Sequence, residues 1–113
     1  MTKPATQIER VVLATIIVGS LNSQEAEQRP IRARHLNSVV SDLAHIHGLE
    51  FERVREKHRG YMGEPCYLIR YSIVESSKPK AKTLVDLWRS KRNAQPIDWG
   101  NVTKTQLQNV ILS

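Results

Sequence analysis

The chain has one cysteine, Cys66, so it can form no internal disulfide and is not a stapled secreted scaffold. Five glycines and five prolines in 113 residues exclude collagen-like and Pro-rich low-complexity structure. Aromatic residues are few (three Tyr, two Trp and one Phe), which argues against a platform for stacking single-stranded bases. The longest apolar run, Val11 to Val18, is interrupted by Thr15 and is far too short to span a bilayer. With Lys3 and Arg10 ahead of it, this run imitates a secretory leader. Against that reading, Glu9 stands close before it and the run is short and β-branched. The segment is therefore expected to belong to the folded chain, in the cytoplasm, with no membrane partner.

Groupings that carry catalysis are also missing. His45 and His47 are two residues apart, so on a helix their rings point in different directions, and no metal-ligand set surrounds them. Cys66 has no His or Asn partner at nucleophile spacing. Gly60-Tyr61-Met62-Gly63 is followed by neither Lys-Ser nor Lys-Thr and is not a nucleotide loop. The eleven carboxylates form no acid–base pair. The chain is read as a non-enzyme without metal or cofactor.

What the sequence does contain is positive charge. Seventeen Lys and Arg against eleven Asp and Glu give a net charge of +6. The excess lies in two stretches. Residues 29–59 hold Arg29, Arg32, Arg34, Arg53, Arg55, Lys57 and Arg59, against Asp42, Glu50, Glu52 and Glu56. Residues 78–92 hold Lys78, Lys80, Lys82, Arg89, Lys91 and Arg92, against Asp86. Clustered cations suit a phosphate-backbone partner.

Periodicity organises the chain. Residues 7–21 carry apolar groups at helical spacing with Thr6 as N-cap, although the β-branched stretch from Val11 to Val18 also suits a strand. Pro30 fits a first helical turn. Leu36, Val39, Val40, Leu43 and Ile46 then repeat at 3.6 residues up to a C-capping Gly48. This is either one helix over 31–47 or two, with Asn37-Ser38 as a second cap. Residues 58–65 read as a hairpin loop. Beyond it Tyr67, Ile69, Tyr71 and Ile73 fall on one face, and Leu68, Arg70 and Ser72 on the other, as in a half-buried antiparallel strand. Ala81, Leu84, Val85 and Trp88 predict a further helix, with Ser77 as cap, Pro79 in its first turn and an end near Asn93. Trp88 is expected to be a docking anchor. Thr103-Lys104-Thr105-Gln106 is a capping-box pattern before Leu107, Val110 and Ile111.

The stretch from Leu36 to Val54, with Leu43, Ile46 and Gly48 at the helix end, closed by Tyr67-Leu-Ile-Arg-Tyr-Ser-Ile, resembles the winged helix-turn-helix domains of phages, plasmids and other mobile elements. The resemblance implies an α+β fold: N-terminal helices and an antiparallel β-hairpin wing over residues 1–75, then a basic helix and tail over 76–113. The usual pattern has a short helix before the recognition helix. Here it is compressed into 24–29 or 31–36, or it is missing. The implied function is sequence-specific binding of double-stranded DNA by a small regulator of transcription or replication, as a homodimer that uses the tail. The expected contacts are Arg32, Arg34, His35, Asn37, Ser38, Ser41 and His45 before and on the helix, Lys57, His58 and Arg59 at the wing tip, which also carries Tyr61, and Lys78 and Lys80 after it. Arg34, Asn37, Ser38 and Ser41 would read bases, whereas Arg32, Lys57, Arg59 and Lys78 would hold phosphates. Asp42 opposes this face unless it pairs with Arg29 or Arg34 or accepts from a cytosine amino group. The alternatives are a phage-type inhibitor or adaptor that binds a host protein, and an RNA-binding arm over 78–92.

Overall fold

A computed structural model of the protein describes residues 4–60 and 63–112, with the side chains of residues 108 and 112 excepted. It is an α+β structure: three helices, a two-stranded antiparallel hairpin, then two more helices. Among the described residues no helix is long and apolar enough to cross a membrane.

Helix α1 spans Gln7–Val18, with the Thr6 hydroxyl accepting from the Glu9 N–H as N-cap. It is three residues shorter than its pattern suggests, because Gly19 leaves the helix at a φ of 106°. The released chain puts Leu21 against Tyr71, and the two exchange backbone hydrogen bonds of 2.9 and 2.7 Å. Helix α2, Ser23–Glu27, follows at once and settles the question of the middle helix. Asn22 and Glu25 close a reciprocal capping box around it, and Ala26 is fully buried. Pro30 lies in the connecting loop after a cis peptide bond, not in a helical turn. Helix α3 is Leu36–His47, so the single helix begins only at residue 36. His35 precedes it in the left-handed conformation and offers no side-chain cap, while Gly48 ends it at φ 70°.

Strands β1 (Phe51–Arg59) and β2 (Pro65–Ile73) pair from Phe51↔Ile73 to Arg59↔Pro65. Tyr61 lies outside the described residues. Helix α4 spans Lys78–Lys91 with Pro79 in its first turn. Ser77 does not cap it; its hydroxyl accepts from the Glu50 N–H and ties α4 to the start of β1. The Thr103 capping box forms and leads into α5, Leu107–Leu112.

One buried cluster unites these elements. It joins Val12, Leu13 and Ala14 of α1 with Leu36, Val39, Val40 and Leu43 of α3. Ala81 and Val85 of α4 and Leu107 and Ile111 of α5 belong to the same cluster. Trp88 packs against this core and meets the His47 ring edge-on, with centroids 5.3 Å apart.

A buried ionic triad reinforces the joint between α1 and α4. Glu9 is 1% exposed and receives two bonds from Arg92, Nε to Oε1 at 2.9 Å and Nη2 to Oε2 at 2.6 Å. Arg89, 2% exposed, lies 3.7 Å from the same carboxylate and donates to the backbone oxygens of Gln95 and Val110. Two of the cations that suggested an exposed basic helix are therefore internal. Burial, followed by repulsion from Arg92, holds the Arg89 guanidinium below its usual pKa.

Candidate nucleic-acid interface

The loop over residues 31–35 is fixed from below by α1. Arg10 donates from Nε to the Ile31 carbonyl at 2.7 Å and from Nη2 to that of Arg32 at 3.5 Å. Gln7 Nε2 donates to the Arg34 carbonyl at 3.2 Å. These contacts use backbone oxygens, so the Arg32 and Arg34 side chains remain exposed, where with Glu27 they line a shallow concavity. Helix α3 buries Leu36, Val39, Val40 and Leu43. Its opposite arc, together with the two residues just before it, exposes Arg34, His35, Asn37, Ser38, Ser41 and His45, as the sequence suggests. Asp42 shares this arc and forms no ion pair among the described residues. Ile46, placed in the core by its spacing, is instead 71% exposed.

The hairpin divides charge between its two faces. Cα partners across an antiparallel pair share a face. The register thus sets Arg53, Arg55, Lys57 and Arg59 of β1 beside Tyr71, Ile69, Tyr67 and Pro65 of β2. All four cations are exposed, and no acidic group pairs with any of them among the described residues. Arg55 lies 3.9 Å from the Tyr67 ring centroid and Arg53 lies 5.6 Å from that of Tyr71. The alternation of Tyr67, Ile69, Tyr71 and Ile73 is therefore not simply a core face. Ile73 is buried and Tyr71 half-buried, but towards the tip Ile69 and Tyr67 are exposed. Arginine stacking, not the core, accompanies the Tyr67 ring.

The other face is a clamp. Arg70 reaches from β2 to Glu56 on β1, to Ser20 Oγ at 3.0 Å and to both Glu25 oxygens at 2.9 and 3.0 Å. Asn22 Nδ2 donates to Glu56 Oε2 at 3.2 Å, and His58 Nε2 stands 2.9 Å from that oxygen. His58 is thereby set apart from Lys57 and Arg59, on the opposite face. Arg70, then His58 and Asn22, hold the Glu56 carboxyl down to about 2 from an ordinary value of 4.5. A carboxyl with a depressed folded pKa stabilises the fold above its unfolded value, and that support disappears as pH falls through the folded one. Denaturant unfolding is expected to show a wild-type stability loss from about pH 4.5 down to about 2 that is shallower in Glu56→Gln. Identical slopes would show that the clamp contributes nothing.

The second basic stretch is largely occupied. Lys78 pairs with Glu75 at 2.6 Å. Lys80 Nζ sits at the C-terminal end of α3, so close to Gly48 that a Cβ there would lie 2.8 Å from it. Lys82 lies 5.8 Å from the Trp99 ring centroid, and Trp99 in turn donates to Asp86. Of the two basic stretches, the cations left open are concentrated on β1 and before α3. Arg53 and Arg55 were not singled out in the sequence. Their signal was present in Arg53-x-Arg55-x-Lys57-x-Arg59, which at period two must share one side of a strand.

No family model matches the chain, and no curated protein or solved structure matches it either.

Proposed function

We propose that the protein binds double-stranded DNA through a winged-helix arrangement, as a small regulator of transcription or replication. The carrying observation is the hairpin face with Arg53, Arg55, Lys57 and Arg59 exposed, unopposed by any carboxylate among the described residues. Four cations in a row along a strand, about 6.6 Å apart, suit contact with a phosphate backbone. The element order supports the same reading: helix, the Leu21–Tyr71 bridge, short helix, helix, hairpin. In this reading α3 lies in the major groove, which is wide enough to admit a helix. Arg34, Asn37, Ser38, Ser41 and His45 reach base edges, and Asp42 is placed to accept from a cytosine amino group. The ribbon face holds phosphates, with Arg32 beside the helix start. Recognition of a two-fold site by two copies would double these contacts.

Fluorescence anisotropy with duplex DNA at two salt concentrations tests the reading. Binding is expected to weaken steeply as salt rises, because each phosphate contact adds about −0.9 to the logarithmic slope. Arg59→Ala should weaken binding to all sequences alike and make that slope shallower by about one unit, whereas Asn37→Ala should relax sequence preference and leave the slope unchanged. Salt-insensitive binding, or the same effect from both variants, would count against the assignment.

A further inference from the structure

Of the four cations on the hairpin face, Arg55 is held differently from the rest. It faces Ile69 in the register, but its guanidinium reaches diagonally to the next residue on that face of β2. There Cζ lies over the Tyr67 ring, 3.9 Å from the centroid, which is van der Waals contact with the ring face. Tyr67 stands directly across from Lys57, yet it is Arg55 that occupies its ring. Arg53 is farther from its own ring, 5.6 Å from the Tyr71 centroid, and its Nη1 donates to the Phe51 carbonyl at 3.4 Å. Arg59 pairs with Pro65 and meets no aromatic ring among the described residues.

A ring against one face of a guanidinium leaves its donors free. The five N–H groups lie in the guanidinium plane, and stacking covers the face of that plane, not its edge. Arg55 makes no hydrogen bond or ion pair among the described residues, so these donors are unused there. Tyr67 is itself 51% exposed, so the contact limits the movement of the group without burying it. An exposed arginine loses side-chain freedom when it binds a partner, and here part of that freedom is removed beforehand. A fork with open donors and limited rotation suits bidentate contact with a phosphate.

We infer that Tyr67 is a positioning residue that holds the Arg55 guanidinium ready for bidentate contact with one DNA phosphate. The inference rests on the DNA-binding reading above and divides the roles along the ribbon: Arg55 is a fixed fork, whereas Lys57 and Arg59 are mobile charges. Tyr67 acts through Arg55 and not on DNA itself. The restraint can be no stronger than the contact that imposes it, so its loss weakens binding about two- to fivefold.

The test measures the affinity of the full chain for duplex DNA by fluorescence anisotropy, over a series of salt concentrations, in a double-variant cycle. Tyr67→Leu removes the ring and keeps an apolar side chain. It is expected to weaken binding about two- to fivefold and to leave the logarithmic salt slope unchanged, because Arg55 still neutralises its phosphate. Tyr67→Phe keeps the ring and should bind as the wild type does. Arg55→Ala should make the slope shallower by about 0.9, and adding Tyr67→Leu to it should change nothing further. A loss from Tyr67→Leu that persists in the Arg55→Ala background, as damage to the ribbon would give, would overturn the inference. So would wild-type affinity in Tyr67→Leu, or a loss in Tyr67→Phe, which would place a direct contact on the hydroxyl. Each of these outcomes leaves DNA binding in place. Absence of salt-dependent duplex binding by the wild type would instead remove the DNA-binding reading, and this inference with it.

Discussion

Replacing Glu9 with alanine is expected to destabilise the protein by about 3–5 kcal/mol, the range for removing one member of a buried ion pair. The side chain is 1% exposed, and it neutralises Arg92, 8% exposed, and Arg89, 2% exposed. Without it, two guanidiniums face each other away from water. Arg89 would keep its bonds to the Gln95 and Val110 carbonyls, but Arg92 would lose both bonds to the carboxylate. The joint between α1 and α4 should loosen, and with it the support behind the N-terminal end of the first helix. In thermal unfolding this corresponds to a Tm lower by more than about 10 °C. A double variant, Glu9→Leu with Arg92→Met, removes one cation together with the carboxylate but leaves Arg89 buried beside an apolar group. Recovery of only part of the loss in the double variant is the expected result, the remainder being the uncompensated Arg89 charge. A single-variant cost under about 1 kcal/mol would mean that the triad is not a structural joint.

This triad also marks where the sequence stops being legible. Glu9 and Arg92 are 83 residues apart, and no local pattern connects them. On helical spacing, Arg89 and Arg92 look like members of a solvated basic face, because a helix period reports which residues share a side but not what covers that side. The same gap explains Ile46. Its spacing from Val39 and Leu43 assigns it to the core, yet the core narrows at the helix end, where Trp88 meets His47 instead. In the hairpin, alternation correctly separated Tyr67, Ile69, Tyr71 and Ile73 from Leu68, Arg70 and Ser72. It could not show that the core reaches only the base of the ribbon, so that Tyr67 stands beside Arg55 and not inside the protein. Features written in local chemistry were readable. Thr6 caps α1, Gly48 ends α3, Pro79 opens α4 and Thr103 forms its capping box. Helix α2 has five residues, too few to show a period. Its Asn22-x-x-Glu25 capping pair was nevertheless present in the sequence. The exposed side of α3 was legible for the same local reason, since Ser38, Ser41 and His45 lie across the helix from Leu36, Val40 and Leu43, with Asn37 at the edge of that arc.

Reversing charge on the ribbon is expected to produce the largest effect on binding. Arg55→Glu with Lys57→Glu converts a face of four cations into one with two of each sign. Neither side chain pairs with an acidic group among the described residues, so the fold should lose little beyond the Arg55 contact with Tyr67, worth about 0.5–1 kcal/mol when exposed. Affinity for duplex DNA at low salt should fall by about two orders of magnitude, and the logarithmic salt slope should become shallower by about 1.8 as two phosphate contacts disappear. Net charge alone would also weaken binding, because a protein of charge +6 attracts DNA from a distance. The control is Lys91→Glu with Lys104→Glu, which makes the same change in net charge at two exposed positions on α4 and in the segment before α5. The ribbon variant should show this shallower slope and the control should keep most of the wild-type slope, because long-range attraction without direct contact releases few counterions. Equal losses from both variants would show that the protein is drawn to DNA by its total charge and that the Arg53–Arg59 face is not where phosphates sit. A distinct loss in the ribbon variant, together with an unchanged preference among sequences in whatever binding remains, would place backbone contact on β1 and leave base recognition to α3.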